Sequence, residues 1–146
     1  MDQLKVIQKF RGAAHCKAVH LLEGNIVKKK YSSKKVFKRE LHALQTLQKY
    51  DFIPRLIDFE VPKTIYMSFC GTKININTFV KQSKQIDQMM KLIQTDKIYH
   101  NDLKPRNVCI HHGKLFLIDF SWATKHKGTG PGLNKVKHYI NRIHRY

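Results

Sequence analysis

The sequence has 146 residues, which suits one domain and is too short for two of ordinary size. It carries 28 Lys and Arg against 10 Asp and Glu, and the resulting net charge of +18 predicts attraction to polyanions and repulsion of basic partners. These positive residues are spread along the chain, so a solvated basic surface and a surface that binds nucleic acid both remain open.

The cysteines and the N-terminus indicate the compartment. Cys16, Cys70 and Cys109 form an odd, widely spaced set, which favours reduced thiols over a disulfide framework. Residues 1–5 lack the apolar core of a signal peptide, and no segment approaches the roughly 18 consecutive apolar residues of a membrane span. We therefore expect an intracellular protein in a reducing compartment, cytoplasmic or nuclear.

The first half of the chain predicts a small antiparallel sheet with one helix. Strand patterns cover residues 4–10, 17–22, a stretch beginning at 26, 52–59 and 64–69. From about Ser33, apolar residues recur at helical spacing at Phe37, Leu41, Leu44 and Leu47. Glu40 lies beside that apolar stripe, and because burial of an isolated carboxylate is costly, it must reach solvent or a cation.

The second half predicts a helix, a hairpin and a terminal helix. The helix covers residues 85–94, and its methionines, Met89 and Met90, are typical of core packing. Apolar runs at 108–110 and 115–118 flank a turn. After the glycine-rich stretch 127–134, apolar residues of 136–143 share one helical face, which predicts a packed terminal helix, with a nucleic-acid or membrane helix as the alternative.

Polar residues gather at both ends of that hairpin. The segment 100–107 reads His-Asn-Asp-Leu-Lys-Pro-Arg-Asn, and the second strand ends in Ile118-Asp119-Phe120. Phosphoryl transfer from ATP needs a carboxylate that orients the attacking hydroxyl, oxygen ligands for Mg²⁺ and a cation near the transferred phosphate. The two segments contain all of these groups.

The segment resembles the catalytic loop of protein kinases, H-R-D-L-K-x-x-N, followed by the D-F-G element. The resemblance implies that Asp102 positions or deprotonates the acceptor hydroxyl, that Lys104 contacts the γ-phosphate, and that Asn107 and Asp119 hold Mg²⁺. His100 would support the loop.

Two positions depart from the kinase pattern. Asn101 replaces the Arg that in many protein kinases contacts a phosphorylated activation loop, which argues against control by that route. Ser121 replaces the Gly after Asp119-Phe120. Neither change removes a reacting group.

The resemblance also implies a lysine on the third strand that contacts phosphate and pairs with a helix carboxylate. Lys28, Lys29 and Lys30 all compete for this place. In the kinase pattern V-A-I-K the two preceding positions are apolar, and Lys28 satisfies this with Ile26 under the adenine and Val27 in the core. We therefore predict Lys28, with Glu40 as its partner; the alternative is three solvated lysines and a surface glutamate.

The remaining nucleotide contacts are less distinctive. Gly12, Ala13 and Ala14 occupy the place of the glycine-rich phosphate loop, with one Gly instead of three, and are similar to the loops of small atypical kinases of the RIO type and of the KEOPS tRNA-modification complex. Further along, Met67, Ser68 and Cys70 fall where a kinase hinge would bind adenine.

The resemblance implies an α+β, protein-kinase-like fold with two lobes. We expect a single domain over 1–146, with a five-stranded antiparallel first lobe and one helix in about 1–70 and a truncated helical second lobe in about 71–146, as in a minimal viral or effector kinase. The expected function is an ATP- and Mg²⁺-dependent Ser/Thr protein kinase or autokinase, acting on acidic or chromatin-associated proteins. The alternative is a catalytically weak, pseudokinase-like module that binds nucleotide or a polyanion.

Overall fold

The computed structural model describes residues 1, 3–11 and 16–126, and its first half is an antiparallel sheet. The strands are β1 (Val6–Phe10), β2 (Cys16–Leu22), β3 (Ile26–Tyr31), β4 (Leu56–Glu60) and β5 (Thr64–Ser68), in the order β1-β2-β3-β5-β4. The prediction of five antiparallel strands is confirmed. The fourth strand starts at Leu56, later than predicted. Phe52 and Ile53, which the apolar pattern included in the strand, are buried in the turn that precedes it.

Between β3 and β4 runs the predicted helix, α1 (Lys34–Leu47). The hydroxyl oxygen of Ser33 caps it by accepting hydrogen bonds from the backbone N–H groups of Lys35 and Val36. Its buried face carries Val36, Phe37, Ala43, Leu44 and Leu47, together with Glu40. Glu40, which lies beside the apolar stripe in the sequence, is therefore the one charged residue on the buried face of α1.

The described residues of the second half, up to 126, form three helical segments and a second sheet. Its elements are β6 (Thr72–Lys73), α2 (Ile76–Lys81), α3 (Ser83–Thr95), a short 3-10 turn (Pro105–Asn107), β7 (Val108–His111) and β8 (Lys114–Leu117), with the strands in the order β6-β7-β8. The predicted helix and hairpin correspond to α3 and to β7 with β8. Met89 and Met90 are core residues, as predicted. The sequence did not predict β6 and α2, and the predicted terminal helix lies outside the described residues.

One apolar core runs through both halves. Side chains of α1, β5, α3 and the β7–β8 hairpin belong to a single buried cluster, and the Leu117 N–H donates to the Phe52 carbonyl at 2.9 Å. The catalytic-type loop between α3 and the 3-10 turn, and the end of β8, are thereby held against β3 and α1. Within the described part of the chain, no helix is long and apolar enough to cross a membrane.

Gly71 links the two sheets and gives a prediction. Its φ is +87°, and a Cβ there would lie 2.1 Å from the Ile110 carbonyl oxygen. Gly71→Ala should therefore lower the free energy of unfolding by about 2–5 kcal/mol, from the left-handed backbone and from the overlap together. Thermal unfolding followed by circular dichroism measures it.

Gly113 is the matched control, since its φ is +77° and a Cβ there would meet nothing within 4 Å. Gly113→Ala carries only the backbone term, about 1–2 kcal/mol. Equal losses in the two variants would show that the close approach of Gly71 to β7 does not contribute.

Candidate active site

A buried lysine joins the first sheet to α1 and to the segment after β8. Lys29 in β3 is 7% exposed, and its Nζ lies 2.7 Å from Glu40 Oε1 and 3.3 Å from Asp119 Oδ1. Burial by itself lowers the pKa of Lys29, but the two carboxylates outweigh it and raise the pKa above its ordinary value. Three ionisable side chains from distant parts of the chain therefore meet in one buried cluster.

The prediction that Lys28 pairs with Glu40 is wrong. Lys29 takes that place, and Lys28 Nζ lies 5.6 Å from the centre of the Tyr66 ring. With Lys29 paired, Lys28 occupies a position that the kinase pattern fills with an apolar residue. A lysine can occupy such a position when its stem packs on an aromatic ring and its ammonium reaches the ring face, which the Lys28–Tyr66 contact provides.

Because Lys29 and not Lys28 pairs with Glu40, the prediction that Ile26 lies under the adenine changes as well. Alternate strand residues share a face, so Val27 lies on the face of Lys29 and Ile26 does not. Val27 pairs with Met67 across β3 and β5, and paired residues share a face. Val27 and Met67, instead of Ile26, therefore lie on the same face of the sheet as Lys29, two residues along the strands from the Lys29–Ile65 pair.

Glu40 is held by more than its lysine. It is 1% exposed, and it accepts hydrogen bonds from the Tyr31 hydroxyl and the Phe120 backbone N–H as well as from Lys29. Burial, and then the nearby Glu40, raise the pKa of Tyr31 well above its ordinary value, so the hydroxyl keeps its proton and donates. Glu40 thus accepts from three donors, and these hydrogen bonds offset the cost of burying a carboxylate.

Asp119 is oriented by the residue that departs from the kinase pattern. Its Oδ1 accepts hydrogen bonds from Lys29 and from the N–H and hydroxyl of Ser121. Burial raises the pKa of Asp119, but Lys29 and the Ser121 bonds outweigh it and hold the pKa well below its usual range. All three contacts use Oδ1, and Oδ2 accepts no hydrogen bond from any described residue.

His100 connects the catalytic-type loop to the strand end. Its ring is fully buried, with Nε2 2.8 Å from the Ile118 carbonyl oxygen, and Nδ1 accepts from the Asp102 N–H at 3.2 Å. Burial lowers the pKa of His100, which favours the neutral ring. Because Nδ1 accepts, the proton lies on Nε2 and is donated to Ile118.

Asp102, Lys104 and Asn107 meet within this loop. Asn107 Nδ2 donates to the Asp102 carbonyl at 2.7 Å and to Asp102 Oδ2 at 3.2 Å, and Lys104 Nζ lies 3.3 Å from the same Oδ2. The 3-10 turn creates this arrangement because Pro105 begins it and Asn107 ends it. The Asn107 side-chain oxygen accepts no hydrogen bond from any described residue.

The predicted hinge retains a backbone donor. The N–H groups of Ser68 and Phe69 donate to the carbonyls of Arg55 and Asn25, both at 2.9 Å, whereas that of the buried Cys70 donates to no described residue. A buried N–H needs a partner, and a bound base could supply one. The predicted phosphate-loop residues Gly12, Ala13 and Ala14 lie outside the described residues.

Asn101 has a role that the sequence did not reveal. Its φ is +66°, a conformation in which Asn is more common than most residues, and its Nδ2 donates to the Trp122 carbonyl at 3.0 Å and to Thr124 Oγ1 at 2.7 Å. The residue in place of the kinase Arg thus ties the loop directly to the segment after Asp119. In the sequence, only the departure from the kinase pattern distinguishes Asn101.

These groups fit a nucleotide carrying a divalent cation. The unbonded oxygens of Asn107 and Asp119 are hard ligands of the kind Mg²⁺ prefers, and Mg²⁺ usually takes one or two protein ligands plus phosphate oxygens. Among the described residues no three His, Cys, Asp or Glu side chains are grouped to hold a metal alone. The site therefore suits a cation that arrives with phosphate.

The contact between Tyr31 and Glu40 gives a prediction. Tyr31→Phe removes one of the three donors to the buried carboxylate, and we expect the free energy of unfolding to fall by about 1.5–3 kcal/mol in urea titrations. Tyr66→Phe is the control, because its hydroxyl donates to the more exposed Glu60 at 2.8 Å. Equal losses would contradict a special role for Tyr31.

The neutral His100 predicts a pH dependence. Its folded pKa is below the ordinary value of 6.5, so its contribution to stability is complete above that pH and is lost as the pH falls from 6.5 toward the folded pKa. Urea unfolding between pH 7.5 and 5 should show a decline that His100→Gln reduces. In His112→Asn, which changes an exposed turn residue, the decline should persist; a decline equally steep in both variants would refute the assignment.

Comparisons with known proteins agree with this geometry. The Danio rerio dual specificity protein kinase Ttk is 32% identical over 136 residues, covering 83% of this chain and 14% of that protein. Its Mus musculus counterpart is 35% identical over 104 residues, covering 61% and 12%. The chain thus spans only about a seventh of the length of these relatives.

Structural similarity supports the same fold. The chain matches the structure of the Cydia pomonella granulovirus kinase with a TM-score of 0.67 at 14% identity, over 84% of this chain and 55% of that one. The protein-kinase-like α+β fold predicted from residues 100–120 is confirmed. The sequence profile of the RIO domain matches residues 7–142, nearly the whole chain, and the protein therefore belongs to the RIO-domain family of atypical protein kinases.

Proposed function

We propose that this chain transfers the γ-phosphate of ATP to a serine or threonine hydroxyl of a protein. The observation that carries the proposal is the buried cluster of Lys29, Glu40 and Asp119, joined through His100 and Ile118 to the loop that bears Asp102. A module that only bound nucleotide would not need the acceptor-side carboxylate. The set therefore favours catalysis over a pseudokinase-like binding role.

Each residue has a distinct role in this proposal. Lys29, held by Glu40, contacts the α- and β-phosphates; Asp102 orients the acceptor hydroxyl and takes its proton; Lys104 neutralises charge on the transferred group. Asn107 and Asp119 hold Mg²⁺, which when bound neutralises charge on the phosphates. The contact of Lys104 with Asp102 keeps the cation beside the carboxylate in the absence of phosphate.

The electrostatics suit this chemistry because the charges are fixed before substrate binds. Asp119 is ionised and Lys29 is protonated, and both side chains are largely buried. Preorganised charges in a poorly hydrated site stabilise a transition state without reorganising at the moment of reaction. The hinge N–H of Cys70 and the apolar Val27 and Met67 would position the adenine.

Substrate preference follows from charge and from the loop. With a net charge of +18, the protein should attract acidic proteins or proteins bound to nucleic acid, such as those of chromatin. Lys104 resembles the residue of Ser/Thr protein kinases and distinguishes the site from small-molecule phosphotransferases of similar fold. The relatives named dual specificity kinases make tyrosine the alternative acceptor to test.

The test is label transfer from γ-labelled ATP with Mg²⁺ to acidic proteins, histones and nucleosomes. Lys29→Met and the isosteric Asp102→Asn should each lower the rate at least about 100-fold, because each removes a group that stabilises the transition state. Phosphoamino-acid analysis should find phosphoserine or phosphothreonine.

Lys28→Met is the matched control, since it removes the same charge one residue away. It should retain activity within a few-fold. Loss in Lys28→Met with activity retained in Lys29→Met would reverse the assignment, and equal label in the wild type, Lys29→Met and Asp102→Asn would leave only the binding module.

A further inference from the structure

A basic groove lies on the side of α1 away from Glu40. It encloses about 490 Å³ and is lined by Lys35, Lys38, Arg39 and His42 of α1, by Thr124 and Lys125, and by the buried apolar residues Ile98 and Ala123. The α1 residues stand at positions i, i+3, i+4 and i+7, the pattern of side chains on one helical face. We call this surface the basic groove.

The groove combines exposed cations with apolar lining and is open to water. Lys35, Lys38 and Lys125 are exposed, and no Asp or Glu lines it among the described residues. Like charges held together in this way repel one another, which costs free energy unless an anion joins them. The residues play no part in the proposed phosphoryl transfer.

Arg39 supplies an independent observation. Its Nε is buried and has no hydrogen-bond partner among the described residues, and its guanidinium carbon lies 5.8 Å from the centre of the Trp122 ring. A buried donor without an acceptor is uncommon and destabilising. An acceptor that enters the groove beside Arg39 would remove that cost.

The length of the groove indicates what kind of anion fits. From Lys35 to His42 the helix rises about 10 Å, at 1.5 Å per residue, so one phosphoryl group cannot contact both ends. Successive phosphates joined in a chain can. Trp122, whose ring the Arg39 guanidinium contacts, does not line the groove itself but is 46% exposed. An exposed aromatic ring near a basic groove is a common arrangement for binding unpaired bases.

We propose that the basic groove binds the phosphate backbone of single-stranded nucleic acid, with a base against Trp122. Lys35, Lys38 and Lys125 contact successive phosphates, and the Arg39 guanidinium donates to one of them. The proposal is independent of the kinase activity, because the groove and the catalytic cluster use different faces of α1.

Fluorescence anisotropy tests the proposal with labelled oligo(dT) and oligo(U) of about 12 nucleotides, a length in the range that such sites cover. The wild type should bind both, more weakly as salt rises from about 50 to 200 mM. Lys35→Ala with Lys38→Ala should weaken binding about tenfold or more and make the slope of log affinity against log salt shallower by about 1.4, or 0.7 for each lost phosphate contact.

Lys81→Ala with Lys84→Ala is the matched control, because both lysines are exposed and the pair removes the same charge from α2 and α3. It should change affinity less than about twofold. Equal weakening by the two pairs would mean a general attraction to the +18 field and would overturn the proposal, as would binding that does not depend on salt.

Two further comparisons separate the sources of phosphate and the two functions. Unlabelled oligonucleotide should displace the probe, and displacement as effective by a phosphoserine peptide at equal phosphate concentration would overturn the proposal in favour of a phosphoprotein ligand.

Arg39→Lys should weaken binding with the salt slope retained, because it keeps the charge and loses the planar donor set. Asp102→Asn should bind oligonucleotide like the wild type, so loss of kinase activity and loss of groove binding can be told apart.

Discussion

The placement of one buried ammonium constrains most of this structure. Taking Lys29, Glu40 and Asp119 out of water costs several kcal/mol for each ion, and only close pairing with further hydrogen bonds offsets it. Tyr31 and the Phe120 N–H complete the shell of Glu40, and Ser121 completes that of Asp119. Because the donors come from β3 and from the segment after β8, and Glu40 comes from α1, pairing these charges constrains how the three parts of the chain pack together.

A second set of contacts carries that arrangement to the acceptor side of the site. The neutral His100 bonds Ile118, the residue before Asp119, through one nitrogen and accepts from Asp102 through the other. Asn107 then donates to Asp102 and accepts the Ile118 N–H on its backbone carbonyl at 2.9 Å. Asp102 is therefore positioned relative to Lys29 by a continuous chain of hydrogen bonds, and protonation of the buried imidazole would break it at its centre.

The sequence predicted the architecture and the loop but not the register of β3. Residues 100–107 and 118–120 are contiguous motifs, so local spacing was enough to place Asp102, Asn107 and Asp119. Three consecutive lysines fit strand alternation in more than one way. Which lysine pairs with Glu40 depends on the burial of Tyr31 against Glu40, and this contact forms only when α1 packs on the sheet. The contacts of Asn101 and Ser121 depend likewise on a left-handed backbone at Asn101 and Asp119, which no local pattern specified.

The two faces of α1 place the catalytic and the basic surfaces on one rigid element. Glu40 is buried toward Lys29, and its neighbour Arg39 turns toward Trp122, whose carbonyl Asn101 holds. A ligand in the basic groove would contact both α1 and the segment after Asp119, the two elements whose approach brings Glu40 to Lys29 and Asp119. Such a ligand would alter phosphoryl transfer only if it bound one relative arrangement of these two elements more tightly than another. The pairs that Lys29 forms with Glu40 and Asp119 use only side chains of this chain, so a ligand in the groove is not needed to assemble the buried cluster.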